Sequence, residues 1–319
     1  MANLKTEQSV KVHTLPINKM TLWERLKKDR FLYVLLLPGI IYFALFKYLP
    51  MWGTLMAFKD YSPFLGFWAS DWVGLEHFKN FFSNPDFFRL LRNTLILALY
   101  DIVFFFPAPI ILSLLINEIR ITIYKRSIQT FVYVPHFMSW VIIASISYVF
   151  LTTSGGVINE VVSFFTGKEI SFLSSPEWFR PVIIGQVIWK ETGWGTVIFL
   201  AALASVSPEQ YEAAIVDGAG RFRRMWHVTL PALKSTIIIL LILRLGNFLD
   251  QGFQQIYLMT NSLNREVADV FDTYVYFMGI TQGAFSYSAA VGLFKAVVGI
   301  ILIYGTNYFA KKIGEEGLF

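Results

Sequence analysis

Cysteine is missing from this sequence altogether. Disulfides, thiolate zinc sites, iron–sulfur clusters and a cysteine nucleophile are therefore excluded. Charge is scarce too: 15% of the 319 residues are Asp, Glu, Lys or Arg, where soluble domains carry about 25%. No Gly-x-x-x-x-Gly-Lys-Ser/Thr loop occurs, so the chain lacks that cradle for nucleotide phosphates. No convincing internal repeat is present. The first apolar run begins near Phe31, behind a polar, basic arm. It is too long for a signal-peptide core and no small-residue cleavage site ends it, so this helix is expected to stay in the mature protein.

What is abundant is apolar. Hydrophobic residues make up 55% of the chain, mean hydropathy is +0.54, and Phe alone occurs 31 times. Such an excess must meet something other than water, and lipid is the solvent that fits. The net charge of +5 does not point to nucleic acid, because the basic residues are spread over membrane-flanking loops rather than one face. A helix needs about 20 apolar residues to cross the hydrocarbon core. Six such runs lie near 31–58, 90–117, 128–151, 181–206, 232–259 and 285–310. The expected fold is an all-α integral membrane protein of six transmembrane helices. Its parts are a basic N-terminal arm (1–30), a membrane domain (31–310) and a short tail (311–319). With the N-terminus inside, most of the 27 lysines and arginines fall on the inner side. Only Lys59, Lys79, Arg89, Lys168, Arg180 and Arg265 fall in outer loops. That bias predicts both termini in the cytoplasm. The outer loops, near 59–89, 152–180 and 260–284, are long enough to form small folded caps.

The inner loop 207–231 carries the sharpest local signal. Ser207 suits an N-cap, Pro208 the first helical position, and Gln210 would complete a capping box. Glu209 and Glu212 sit near the positive end of the helix dipole, and Gly218 and Gly220 stop the helix. Arg221-Phe-Arg-Arg-Met-Trp226 follows, basic and aromatic, suited to an anionic membrane surface. On local chemistry this is a capped surface helix between two spans. Its small residues, Ala213, Ala214 and Gly218, would also let a partner approach closely. The pattern Glu212-Ala213-Ala214, three residues, Gly218, nine residues, Val228-Thr-Leu230-Pro231 resembles the EAA loop of binding-protein-dependent ABC importer permeases, with Val228 where the family has Ile. The resemblance implies a type I importer permease with a cytoplasmic coupling helix. It further implies that Glu212, Ala213, Ala214, Asp217, Gly218, Leu230 and Pro231 form the ATPase-coupling surface.

Ionisable residues in the spans cost about 2.5–3.5 kcal/mol each on insertion scales and are functional candidates. Around span five, Arg244, Asn247, Phe248, Gln251, Gln254 and Gln255 share one face of a continuous helix, with Asp250 at its edge. Such a face suits a hydroxyl-binding path; amide pairing between helices is the other reading. In span four, Trp189-Lys190-Glu191-Thr-Gly-Trp194-Gly195 suggests a helix weakened by two glycines beside a charged pair, as at transport sites; mutual neutralisation and core packing are the other reading. Asp101 with Pro107 and Pro109, and Lys47 with Pro50, are explained by packing. Lys47 and Lys295 suit snorkelling. His136 suits a helix start or a core position.

Beyond the loop, Leu-Leu-Leu-Pro-Gly39, Gly74-Leu-Glu-His-Phe-Lys-Asn-Phe81 and Asn93-Thr94 are similar to the carbohydrate branch of these permeases, and in particular to permeases for complex polysaccharide fragments of the rhamnogalacturonan type in Gram-positive bacteria. The resemblance implies import of an oligosaccharide, with a pectin-derived acidic one as the specific case in which Arg244 and Lys190 would meet its carboxylates. It also implies partners: a second permease, usually a different chain, two cytoplasmic ATPase subunits that hold ATP and magnesium, and an extracellular solute-binding lipoprotein. This chain would hold no cofactor and perform no catalysis itself. A secondary transporter of a polar solute is the alternative, weakened by the missing repeat. An intramembrane protease fits poorly, because Ser154 and His136 lie on different levels.

Overall fold

The computed structural model describes residues 27–312; most of the basic arm and the tail from 313 onward lie outside the described residues. The chain divides into two units, 1–53 and 54–319.

The first unit is helical from Arg30 to Met51 and buries none of the side chains along that stretch. It is apolar on every face, as expected of a helix surrounded by lipid or by other subunits. A wide π turn at Ala44–Tyr48 precedes Pro50. The same arrangement recurs at Asp101–Phe105 before Pro107 and at Met225–Thr229 before Pro231. Proline lacks an N–H and its ring crowds the carbonyl four residues back. Opening the preceding turn relieves both problems.

By length and composition four helical stretches can cross a membrane: Arg30–Phe58, Asp86–Asn117, Pro176–Ala204 and Phe285–Lys312. Two bent pairs bring the number to six if each counts as one span: Thr122–Phe137 with Trp140–Leu151, and Arg221–Ala232 with Lys234–Gly246. The expected third span, 128–151, is therefore not straight. It turns by 101° where Pro135 sits in a tight 3-10 turn and Ser139 caps a new helix through the Ile142 N–H.

The fifth span departs further. The expected helix 232–259 ends at Gly246, and a short helix resumes at Phe253–Met259. Gly252 between them has φ of +74°, a conformation open to glycine and strained for other residues. The fourth span shows the reverse. Pro176–Ala204 is one unbroken helix, so Gly193 and Gly195 do not interrupt it. A Cβ on Gly193 would lie 1.8 Å from the Val132 carbonyl oxygen, and one on Gly195 would meet the Pro109 ring at 2.9 Å. These glycines permit close helix packing.

Three buried clusters hold the second unit together. Leu97, Phe179, Ile183, Ile256 and Val270 form one, and Phe81, Leu90, Phe271, Tyr274 and Val291 another. Leu114, Phe199, Leu203 and Leu233 form the third. The loops expected to be folded caps are so. Strands Lys59–Asp60 and Asp71–Trp72 pair antiparallel, with Lys59 opposite Trp72. The buried Lys59 ammonium donates to the Phe67 and Ser70 carbonyls at 2.6 and 2.9 Å. In the next loop, helix Val157–Thr166 is tied down by buried Asn159, which donates to the carbonyls of Thr152 and Ile170. At the edge of the second cluster, burial, together with the Tyr287 hydroxyl, pushes the Tyr274 phenol well above its usual range. It stays a hydroxyl in the Asn84–Tyr274–Tyr287 network.

Candidate functional site

A polar cavity of about 260 Å³ lies among the second, third, fourth and fifth spans. Asp101, Trp140, Glu191, Arg244, Asp250, Gln251 and Gln255 contribute to its wall. Each charged group is held by a partner on another element. Arg244 donates side-on to both carboxylate oxygens of Asp101, through Nε to Oδ2 at 2.5 Å and through Nη2 to Oδ1. Its guanidinium also lies over the Phe105 ring at 5.1 Å. Asp101 is buried at the first residue of the π turn in the second span. The wide turn before Pro107 begins at Asp101, and there its carboxylate meets Arg244. Such bidentate, charge-assisted pairs are among the strong ones.

Two further networks flank this pair. Glu191 accepts from His136 Nδ1 at 2.7 Å and lies 3.3 Å from the Lys190 ammonium. Lys190, buried, donates to the His136 carbonyl at 2.5 Å and lies over the Trp140 ring. The His136 ring stacks on Trp194 with centroids 4.6 Å apart. On the other side Lys295 donates to Asp250 Oδ1 at 2.6 Å and to Asp272. Asp272 Oδ2 also accepts the Gln251 backbone N–H at 3.1 Å, which fastens the unwound segment.

The expected residues are thus sorted. Arg244, Asp250, Gln251 and Glu191 come together on the cavity wall. Asn247 lines a smaller adjoining cavity and donates to its own helix at Leu243. Gln254 is exposed and stands outside the main wall. The single polar face expected from 244 to 255 does not exist, because the helix breaks before Asn247 can carry it on. Trp189 lines a separate, largely apolar cavity with Phe150, Phe172 and Trp178. Lys190 and Trp194 support Glu191 and His136 from behind. Lys295 does not snorkel; it joins two aspartates. Trp140, Asp272 and Lys295 escaped the sequence reading as a group. Their signal, a charge or indole within an apolar run, is visible only once the partner is known.

The loop helix forms as its local chemistry dictates. It spans Pro208–Val216, and Ser207 Oγ accepts the Glu209 N–H at 3.3 Å. The cap therefore reaches Glu209 rather than completing the expected box with Gln210. At the other end Ala219 N–H bonds the Ala214 carbonyl and Gly218 N–H the Ile215 carbonyl. With Gly218 at φ +76°, this is a left-handed helix stop. Glu212, Ala213, Asp217 and Gly218 are exposed, and Ala214 is half-buried. Tyr211 donates to the buried Thr229 hydroxyl, pinning the helix to the return segment that carries Leu230 and Pro231. Leu230 packs on the third buried cluster.

The comparisons with known proteins bear on this arrangement. Residues 87–315 match the family model described as binding-protein-dependent transport system inner membrane component. The chain belongs to this family. It is a multi-pass membrane component of a transport system, and the alternative of a secondary carrier falls away. The permease is 70% identical to Protein LplB of Bacillus subtilis (strain 168) over 294 residues, 92% of each chain. It is 57% identical to the polygalacturonan/rhamnogalacturonan transport system permease protein YteP of the same organism, again over 92% of each. Among solved structures, it is similar to a chain of a bacterial alginate ABC transporter in complex with alginate pentasaccharide-bound periplasmic protein. That match has a TM-score of 0.85 and 40% identity, covering 93% of this chain and 99% of the other.

Proposed function

We propose that this permease is one membrane-spanning subunit of an ATP-driven importer for acidic oligosaccharides of the pectic type. An extracellular binding protein delivers the cargo. Two cytoplasmic ATPase subunits hold ATP and magnesium, and a second permease, a different chain, completes the path. Both termini lie in the cytoplasm. The observation that carries the reading is the exposed helix Pro208–Val216. It is capped at one end, stopped by Gly218 at the other and tied through Tyr211 to a segment that runs into the fifth span. A short rigid helix so mounted can pass a push from an engine to a helical bundle. Glu212, Ala213, Ala214, Asp217 and Gly218 form its contact face, and Leu230 and Pro231 anchor the return.

The cavity supports the cargo class. Its amides and its paired charges offer donors and acceptors to sugar hydroxyls, and Arg244 keeps donors beyond those given to Asp101. One relative is named for polygalacturonan and rhamnogalacturonan transport, and a structural neighbour is a transporter involved in the import of the acidic polysaccharide alginate. Gln251, Asp250 and Glu191 act on the path with Arg244. Asn247 and Gln254 meet cargo only as the broken segment moves, and Trp189, Lys190 and Trp194 hold the wall. The test is reconstitution of the importer with its binding protein. Oligogalacturonides should stimulate ATP hydrolysis, and their carboxyl-reduced counterparts of equal length should do so less. Equal stimulation by the two would remove the acidic cargo while leaving the importer reading intact.

A further inference from the structure

The return segment after the coupling helix is not absorbed by that function. It runs as a helix from Arg221 to Ala232 and then bends by 57° into Lys234–Gly246. Met225 and Leu230 face the protein and pack on the third buried cluster. Phe222 and Trp226, four residues apart and so on one side of the helix, face away from it with 83% and 65% of their surface exposed. Arg221 and Arg223 are exposed and Arg224 half-buried, and no carboxylate among the described residues pairs with any of the three. Two aromatic rings and three arginines thus occupy one short stretch.

From this surface we infer that residues 221–226 lie against the outer part of the headgroup layer and bind anionic phospholipid on the side of the membrane where the coupling helix lies. Geometry sets the depth. A helix inclined by 57° to the following span climbs away from the membrane at about 0.8 Å per residue instead of about 1.5 Å. Trp226 then stands about 6 Å past the bend and Phe222 about 10 Å, against a headgroup layer about 5–7 Å deep. With the bend at the hydrocarbon boundary, Trp226 lies within the layer and Phe222 a few ångström beyond its outer edge. Charge sets the occupant. Arginines beside an interfacial indole match phosphate-bearing, negatively charged lipid, and guanidinium groups engage phosphate oxygens in pairs. An ATPase seated on the coupling helix would lie beyond this layer, on the exposed face of Pro208–Val216.

The experiment uses the full chain assembled with its partner subunits in nanodiscs of phosphatidylcholine containing phosphatidylglycerol. A photoreactive benzoylphenylalanine replaces Phe222 in one sample and Trp226 in another. Both should label lipid, with phosphatidylglycerol labelled several-fold above its share of the bilayer. The triple variant Arg221→Gln, Arg223→Gln, Arg224→Gln should bring that preference to parity. Labelling of the ATPase subunit at both positions, or lipid labelling in simple proportion to composition, overturns the inference. The single-site samples decide it even if the triple variant does not assemble.

Discussion

Individual side chains here act through a partner that is far away in sequence. Lys295 joins Asp250 and Asp272, and its side chain is only 11% exposed. Lys295→Met leaves two carboxylates facing one another without a cation. Asp250 is 63% exposed and Asp272 19%, so solvent screens part of the loss, which falls below the roughly 3–5 kcal/mol of a fully buried pair broken from one side. The detergent-purified variant should melt a few degrees lower. Lys295→Arg should recover most of the loss, and a thermal shift series distinguishes the two. Gly193 offers a sharper contrast. Gly193→Ala puts a methyl against the Val132 carbonyl, whereas Gly185→Ala on the same helix meets nothing within 4 Å. The first should lose about 1–3 kcal/mol through overpacking and the second should be neutral in the same assay. At this scale the sequence was only partly legible. Arg244 stood out as a charge in an apolar run, yet Asp101, its mate 143 positions away, was explained by packing. Lys295 offered its long alkyl stem and so suggested snorkelling. A charge is visible in a sequence, but its neutralising partner is a product of packing.

Among the elements, those governed by local chemistry were legible and those governed by contact were not. The coupling helix begins and ends where serine, proline and glycine dictate. The fifth span reads as helix through Gly246 to Met259, because an apolar and amide-rich run carries no local stop apart from Gly252. Its break is fastened from outside, by Asp272 on the Gln251 N–H and by the Arg244 and Lys295 pairs. In the fourth span glycine misled in the opposite direction, since its role there is close approach. Two predictions belong to elements. Ala213→Trp, on the exposed face of the coupling helix, should leave the assembled permease equally stable while oligosaccharide uptake falls at least tenfold. Retained uptake would argue against that face as the lever. Gly252→Ala forces a left-handed backbone on alanine, at a cost of about 1 kcal/mol or more. It should slow cargo-stimulated ATP hydrolysis without altering cargo capture by the binding protein, as steady-state hydrolysis and a binding assay would separate.

For the molecule as a whole, the six apolar runs were visible in composition alone. Their bends were not, since hydropathy carries no direction. The three buried clusters all belong to the unit 54–319, while the helix from Arg30 to Met51 buries nothing of its own.

The contact at Gly193 has a mechanical meaning. With a glycine pressed on the backbone of the neighbouring helix, there is no slack between the third and fourth spans at that level. Any shift of the fourth span carries with it the arm of the third that holds Val132. The part with give lies opposite, in the ribbon of uncoiled backbone at 247–252 with ion pairs near both its ends.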